Sequence, residues 1–218
     1  MPKAASSRIP LDPWNVELML ATASAPMFKP GRGYELKFDG YRILAGKSGA
    51  RVTLVSRNRK DATPWFPEID AALRKLPGSF LMDGEACVID EDGHPDFEAL
   101  RSVIRRPGAH SRTIAYFVFD LLAIDGNDLR SLPFVERKKA LRRLVKTTVG
   151  RVCRVEYVVE HGREFFDAAL AMNMEGVVAK RLDAPYAPGR SPSWLKYKNP
   201  GWHDGWKRPI RGRPVQSA

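Results

Sequence analysis

Lys37 sits inside a short β-rich run, Tyr34-Glu35-Leu36-Lys37-Phe38, with Asp39, Gly40, Tyr41 and Arg42 directly behind it. A lysine at a strand end, partly desolvated and crowded by Arg42 and other cations, loses its proton more readily and can act as a nucleophile. Gly40 lets the backbone turn closely past a ligand. Lys-x-Asp-Gly alone reads more readily as a surface strand lysine ahead of a solvated turn. Further polar clusters, each in or at the edge of a β-rich run, change that balance: Ser56-Arg57-Asn58, Asp83-Gly84-Glu85, Phe117-Val118-Phe119-Asp120, Glu175-Gly176-Val177-Val178-Ala179-Lys180 and Trp194-Leu195-Lys196-Tyr197-Lys198. Taken singly, Glu85 and Glu175 are carboxylates of the kind that pair with surface arginines, Phe119 is a core ring, and Lys196 and Lys198 are a solvated strand face. A catalytic reading rests on their joint occurrence and order.

The elements that must position these groups are short strands with helices between them. Tyr34–Phe38, Tyr41–Ala45 and Arg51–Arg57 are β-rich, and the turn-forming segment 46–50 joins the last two as a hairpin. Phe66–Leu76 has helical spacing, Phe80–Ile89 reads as a strand, and Asp96 caps a helix with Phe97, Leu100 and Ile104 on one face. Ala115–Leu122 is the nearly continuous apolar run of a strand buried on both sides. A basic amphipathic helix over Pro133–Lys146, a strand over Val152–Val159, a helix over Glu164–Met172, and strands over Gly176–Arg181 and Ser193–Lys198 complete the pattern. Residues 1–33, rich in Pro and Gly, are expected to form an irregular strap with one helical turn near Trp14–Leu20. Residues 34–198 form the domain, and 199–218 a basic tail carrying Lys207, Arg208, Arg211 and Arg213. The class is α+β, with antiparallel or mixed sheets and flanking helices.

The chain has 218 residues, 44% hydrophobic, with 36 Lys and Arg against 25 Asp and Glu, a formal charge of +11. That excess favours polyanionic partners, nucleic acid first. The apolar run Ala115–Ile124 is half the roughly 20 residues a bilayer needs and contains Asp120, so no membrane anchor is expected. Two cysteines, Cys87 and Cys153, make no disulfide framework. The expected location is cytoplasmic, associated with the nucleoid. The basic groups Arg101, Arg105, Arg106 and Arg112, and Arg137, Lys138, Lys139, Arg142, Arg143 and Lys146, either face a phosphodiester backbone or form solvated helix faces.

Together the polar clusters resemble the successive motifs of the covalent nucleotidyltransferases, the superfamily of ATP-dependent DNA ligases, RNA ligases and mRNA capping enzymes. The resemblance covers about residues 16–200. Phe119-Asp120-Leu121-Leu122 through Asp125-Gly126, Leu129 to Leu132, Glu136-Arg137-Lys138 and Met19-Leu20-Ala21-Thr22 are most similar to bacterial ATP-dependent DNA ligases of end-joining type. The resemblance implies a nucleotidyltransferase (ATP-grasp-like) fold, ATP and Mg²⁺ as cofactors, and nicked or broken duplex DNA as substrate in repair or recombination. Lys37 would attack the α-phosphate of ATP, hold AMP as a phosphoramidate and expel pyrophosphate. Glu35 and Leu36 would contact adenine, and Phe119 would stack on it. Arg42 and Arg57 would contact ribose and phosphate, Glu85 the ribose hydroxyl or an ion, and Glu175 a divalent metal. Lys196 and Lys198 would neutralise the phosphates.

The physics of phosphoryl transfer asks for these residue types. The step is mostly positioning and charge stabilisation. Lys196 and Lys198 alternate on one strand and so face one side, and carboxylates such as Glu85 and Glu175 suit Mg²⁺. Ligases of this family continue past the position of Lys198 into an OB-fold, and the remaining stretch of about 20 residues is too short to build one. Three readings follow: a minimal ligase, a partial ligase that needs an OB-fold or end-joining partner, and a non-catalytic nucleic-acid-binding module of the same fold. Retention of Lys37, Glu85 and Glu175 favours the first two.

Overall fold

A computed structural model describes residues 12–106 and 113–202. Arg112 and the basic residues of the tail lie outside the described residues. In chain order, the elements are β1 (Met19–Ala23), β2 (Arg32–Lys37), β3 (Tyr41–Ser48), β4 (Arg51–Ser56), α1 (Pro67–Arg74), β5 (Phe80–Ile89), α2 (Phe97–Arg105), β6 (Thr113–Ile124) and β7 (Asn127–Asp128). Then follow α3 (Phe134–Leu144), β8 (Val152–Arg154), β9 (Val158–Val159), α4 (Gly162–Ala171), β10 (Gly176–Arg181) and β11 (Gly189–Lys198).

Two sheets result. The first has the order β1-β11-β10-β2-β9; the second runs β4-β3-β5-β6-β7, with β8 added to β6. Pairing is antiparallel except for β1 with β11 and β6 with β8. Alternation divides the faces of the first sheet. Tyr34, Val177, Ala179, Leu195 and Tyr197 pack with Phe166 and Ala169 of α4, which leaves the polar members of the same strands for the opposite face. The second sheet holds the larger core, in which Ile43, Leu54, Met82 and Leu121 meet Ile69 and Leu73 of α1, Leu100 of α2 and Leu141 of α3. A third cluster, including Met19, Leu44, Leu122, Tyr186 and Trp194, joins the two sheets.

Local chemistry sets the helix ends. Asp96 accepts from the Ala99 amide at 2.9 Å and caps α2 as expected. The buried Lys47 ammonium donates to the carbonyls of Arg74 and Leu76, which would otherwise be orphaned at the end of α1. Among the described residues no helix is long and apolar enough to cross a membrane.

Three elements differ from the expectation. The strap contains a three-residue 3-10 turn, Pro13–Asn15, and then β1, whose parallel partner lies some 170 positions on, so no local turn announces it. Its partner β11 begins at Gly189 rather than Ser193; the register jumps between Ala21↔Ser191 and Thr22↔Leu195, and Pro192, lacking an N–H, falls within that bulge. The expected strand Val152–Val159 divides into β8 on the second sheet and β9 on the first, so this segment crosses from sheet to sheet.

Candidate active site

The strand register assembles the site. Lys37 of β2, Gly176 of β10 and Lys198 of β11 form one row; Glu35, Val178 and Lys196 form the next, and Gly33, Lys180 and Trp194 a third. Paired residues and residues two apart share a face, so three lysines, Glu35 and Trp194 accompany Lys37 on one side of the first sheet. The second sheet answers with Arg42 paired to Glu85, which is paired to Phe117. Phe38 and Phe117 stack across the gap at 4.0 Å between ring centroids, only 9° from coplanar, which fixes the end of β2 against β6.

The cleft between the sheets is lined by Glu35, Leu36, Lys37, Arg42, Arg57, Glu85, Phe119 and Lys196, together with Lys180, Arg190 and Trp194. Glu175 and Lys198 stand at its Lys37 end: Lys37 Nζ donates to Glu175 Oε2 at 2.6 Å, and Lys198 Nζ lies 3.5 Å from Glu175 Oε1. All of the candidate residues therefore belong to one neighbourhood.

Their engagements differ from the simple picture in several places. The Arg42 guanidinium is paired with the buried Asp83, Nε to Oδ1 at 2.5 Å and Nη2 to Oδ2 at 2.7 Å, so its charge has a partner of its own in the cleft that it shares with Lys37. Tyr186 donates to the same carboxylate at 2.7 Å. Arg42 nevertheless lies over Phe119, its Cζ 4.5 Å from the ring centroid. Glu35 is buried between two ammonium groups, Lys138 Nζ at 2.7 Å and Lys180 Nζ at 2.6 Å. Gly40 makes its close approach to β5 rather than to a ligand; a Cβ there would meet the Ala86 carbonyl oxygen at 2.4 Å. Gly176 is more constrained, with φ at +142° and the Tyr197 carbonyl oxygen 2.0 Å from where a Cβ would stand.

The basic helix also turns inward. Arg137 and Lys138 are buried, Arg137 on Asp120 and Lys138 on Glu35, whereas Lys139 and Arg142 are exposed and pair with Glu136 and Glu156. Arg137 and Lys138 are thus unavailable to a phosphodiester backbone. Charge spacing alone does not reveal this, because Asp120 and Glu35 are far away in sequence. Lys180 and Trp194 were within reach of a period-two reading from Val178 and Lys196. Arg190 had no such signal, since Gly-Arg-Ser-Pro does not read as strand.

The cleft gathers cations along one sheet and carboxylates at its Lys37 end. The Lys196 amine is pushed down by burial first and then by Lys37, Lys198 and Arg190, so several cations converge without enough counter-charge. The Glu85 carboxyl is pushed up to about 7 by burial; Arg42 and Lys37 oppose the rise and the Glu175 and Asp83 charges add to it. Among the described residues no three or more His, Cys, Asp or Glu are grouped so that they could hold a metal ion by themselves. Two carboxylates that repel each other beside Lys37 still fit Mg²⁺, which takes few protein oxygens and keeps waters and phosphate oxygens as its other ligands.

Residues 19–198 match the ATP dependent DNA ligase domain family. The chain belongs to this family. Among relatives of the ligase family, it is 36% identical over 176 residues to the multifunctional non-homologous end joining protein LigD of Pseudomonas aeruginosa, covering 78% of this chain and 21% of that protein. It is 37% identical over 181 residues to a probable DNA ligase of Streptomyces coelicolor, covering 75% of this chain and 34% of the relative. The crystal structure of the ligase domain of M. tuberculosis LigD superposes with a TM-score of 0.73 at 33% identity, covering 85% of this chain and 61% of that one. A mycobacterial DNA ligase D complexed with ATP and MES gives 0.72 at 31% identity, covering 85% of this chain and 60% of that one. The chain therefore spans a fifth to a third of these two relatives and about three fifths of the two chains of known structure. The α+β nucleotidyltransferase expectation agrees with these neighbours, and the family match opens at Met19, the first residue of β1.

Proposed function

We propose that this chain is the nucleotide-transfer portion of an ATP-dependent DNA ligase. Lys37 Nζ attacks the α-phosphorus of ATP; the N–P bond forms as the bond to the β-phosphate oxygen breaks, pyrophosphate leaves, and AMP remains on Lys37 as a phosphoramidate. Attack requires the neutral amine, and Glu175 Oε2, at 2.6 Å, is placed to take its proton. Lys196, Lys198 and Arg190 meet the phosphates, and Phe119 and Trp194 offer faces to the base. Glu85 and Glu175 would hold Mg²⁺, which when bound supplies charge neutralisation on the phosphate oxygens. AMP then passes to a DNA 5′-phosphate at a nick or break, and the 3′-hydroxyl displaces it. The observation that carries this reading is the convergence of Lys37, Lys196, Lys198 and Arg190 at one end of a cleft whose other end is aromatic.

The proposed domain spans 34–198 with β1 completing its sheet; 199–218 forms a basic tail, and the chain acts in the cytoplasm at the nucleoid. A second reading is that sealing requires an OB-fold or end-joining partner; the match covers 61% of the M. tuberculosis ligase-domain chain. Intact mass after incubation with ATP and Mg²⁺ tests the first step, and a preadenylated nicked duplex tests the second. Gain of one AMP supports the reading; no gain and no sealing, alone or with a supplied OB-fold, removes it.

The Mg²⁺ requirement carries a pH signature. As pH falls through about 7, Glu85 takes up a proton and competes with the cation. The half-saturating Mg²⁺ concentration for adenylation is expected to rise by up to about tenfold per pH unit below that point and to be flat above it. Glu85→Gln should flatten the dependence, and Glu175→Ala should raise the Mg²⁺ requirement at every pH. Fold stability moves the other way. The folded chain holds this proton more tightly than the unfolded chain, whose ordinary value is 4.5, so this contribution declines as pH rises from there to about 7. Thermal melts and Mg²⁺ titrations across pH 5–8 separate the two.

A further inference from the structure

The sequence presents Lys138 as one more cation on a basic helix, but its side chain runs into the protein. Its Nζ lies 2.7 Å from Glu35 Oε1, 2.5 Å from the Val155 carbonyl oxygen and 3.4 Å from that of Phe119. These contacts belong to three separate segments. Glu35 is on β2 of the first sheet, Phe119 is on β6 of the second, and Val155 is in the stretch that crosses between them. One ammonium from α3 therefore ties the two walls of the cleft together behind its aromatic end.

The tie reaches the cleft lining through Glu35. That carboxylate's other oxygen holds Lys180 Nζ at 2.6 Å, and Lys180 Nζ in turn lies 4.4 Å from the centroid of Phe119 and 4.0 Å from that of Trp194. Lys138 and Lys180 are both buried, at 4% and 2% exposure, so their ammonium groups are held by the protein and not by water: they share Glu35, the Val155 and Phe119 carbonyls add to Lys138, and the Phe119 and Trp194 rings lie against Lys180. Removing the Lys138 charge leaves Glu35 balanced by Lys180 alone, draws the carboxylate toward it, and frees the Phe119 carbonyl from its link to the opposite wall. Lys37 lies two residues beyond Glu35, roughly 7 Å along the strand, and keeps its own partner Glu175.

We infer that Lys138 is a positioning residue for the base end of the ATP cleft, acting through Glu35 and the Phe119 backbone. The inference rests on the adenylation reading above. A group that shapes the base end acts alike on bound ATP and on the transition state, so it moves the ATP requirement and not the limiting rate. Lys138→Met keeps the apolar stem and removes the charge. In single-turnover adenylation its half-saturating ATP concentration should rise by about tenfold or more, with the limiting rate within about threefold of wild type. Lys138→Arg should recover to within about threefold of wild type, and Lys139→Met, on the exposed face of the same helix, should match wild type.

A purely structural role would lower the fraction of chains labelled and leave the half-saturating ATP unchanged, and that result overturns the inference. So would a fall in limiting rate at constant half-saturation. If Lys138→Met does not fold, Lys138→Gln, which retains a donor toward Val155, is read by the same criterion. If the wild type itself gains no AMP, ATP binding by calorimetry decides the inference on the same tenfold weakening, and the adenylation reading fails separately only when a supplied OB-fold also brings no gain and no sealing.

Discussion

Lys37→Ala is expected to carry no covalent AMP after incubation with ATP and Mg²⁺, where wild type gains one. The loss should be complete, because the amine is itself the atom bonded to phosphorus and no neighbouring group can replace it in line. Lys180 is locked on Glu35 beneath two aromatic rings, and Lys196 and Lys198 stand on a different strand, across β10 from Lys37. The fold should survive. The hydrogen bonds of β2 are backbone bonds, and the side chain contributes one ion pair with 22% exposure on the lysine side. Discounted for solvent, that pair is worth about 1 kcal/mol or less, and Glu175 retains Lys198 at 3.5 Å. Lys37→Arg sharpens the test, since a guanidinium preserves the ion pair with Glu175 but does not deprotonate to become a nucleophile. Both variants should melt within a few degrees of wild type and show no mass gain. Labelling retained by either would overturn the assignment of the nucleophile, and peptide mapping would then locate the modified lysine.

What the sequence showed, and what it hid, follows from the range of the interactions involved. The hairpin of β3 and β4, the strands β5 and β6, and the capped helix α2 have their signals within a few residues: a turn, an apolar run, a capping aspartate. The shared face of Lys196 and Lys198 was legible for the same reason, since alternation is local. That Lys37 joins this face was not, because the register of β2 on β10 pairs positions about 140 residues apart. The same limit hid β1, whose partner β11 is bulged at Pro192, and with it Arg190. It also hid the inward turn of Arg137 and Lys138. A run of cations on a helix looks solvated until Asp120 and Glu35 are known to lie beneath it. The misread positions make their decisive contacts with residues distant in sequence: β1 with β11 and β2 with β10 inside the first sheet, and Lys138 with Glu35 and the Phe119 carbonyl across the two sheets.

Arg137→Met is expected to bring the largest loss of stability of any substitution named here. Arg137 and Asp120 are both fully buried. The guanidinium meets the carboxylate with both arms, Nε to Oδ1 at 2.8 Å and Nη2 to Oδ2 at 2.9 Å, while Nη1 donates to the carbonyls of Leu132 at 2.6 Å and Ala184 at 3.1 Å. Methionine fills much of the space but leaves a buried carboxylate and two carbonyls without their donor. Breaking such a pair on one side costs about 3–5 kcal/mol, because the surviving charge is stranded away from water. At roughly 2–4 °C per kcal/mol for a chain of this size, the melting temperature should fall by about 6–20 °C. Adding Asp120→Leu removes the stranded charge, and the double variant should regain part of the loss even though one more polar contact has gone, the Asp120 acceptance from the Leu121 amide. A single variant that melts within about 2 °C of wild type, or a double variant less stable than the single, would refute this account of the pair. The comparison with Lys138 gives the result its functional meaning. Two adjacent cations on α3 carry different duties: Arg137 fastens the helix to β6 and to the segment around Ala184, so its loss should reduce the number of folded chains without altering their half-saturating ATP. Lys138 fastens the walls of the cleft, so its loss should alter that concentration in chains that remain folded.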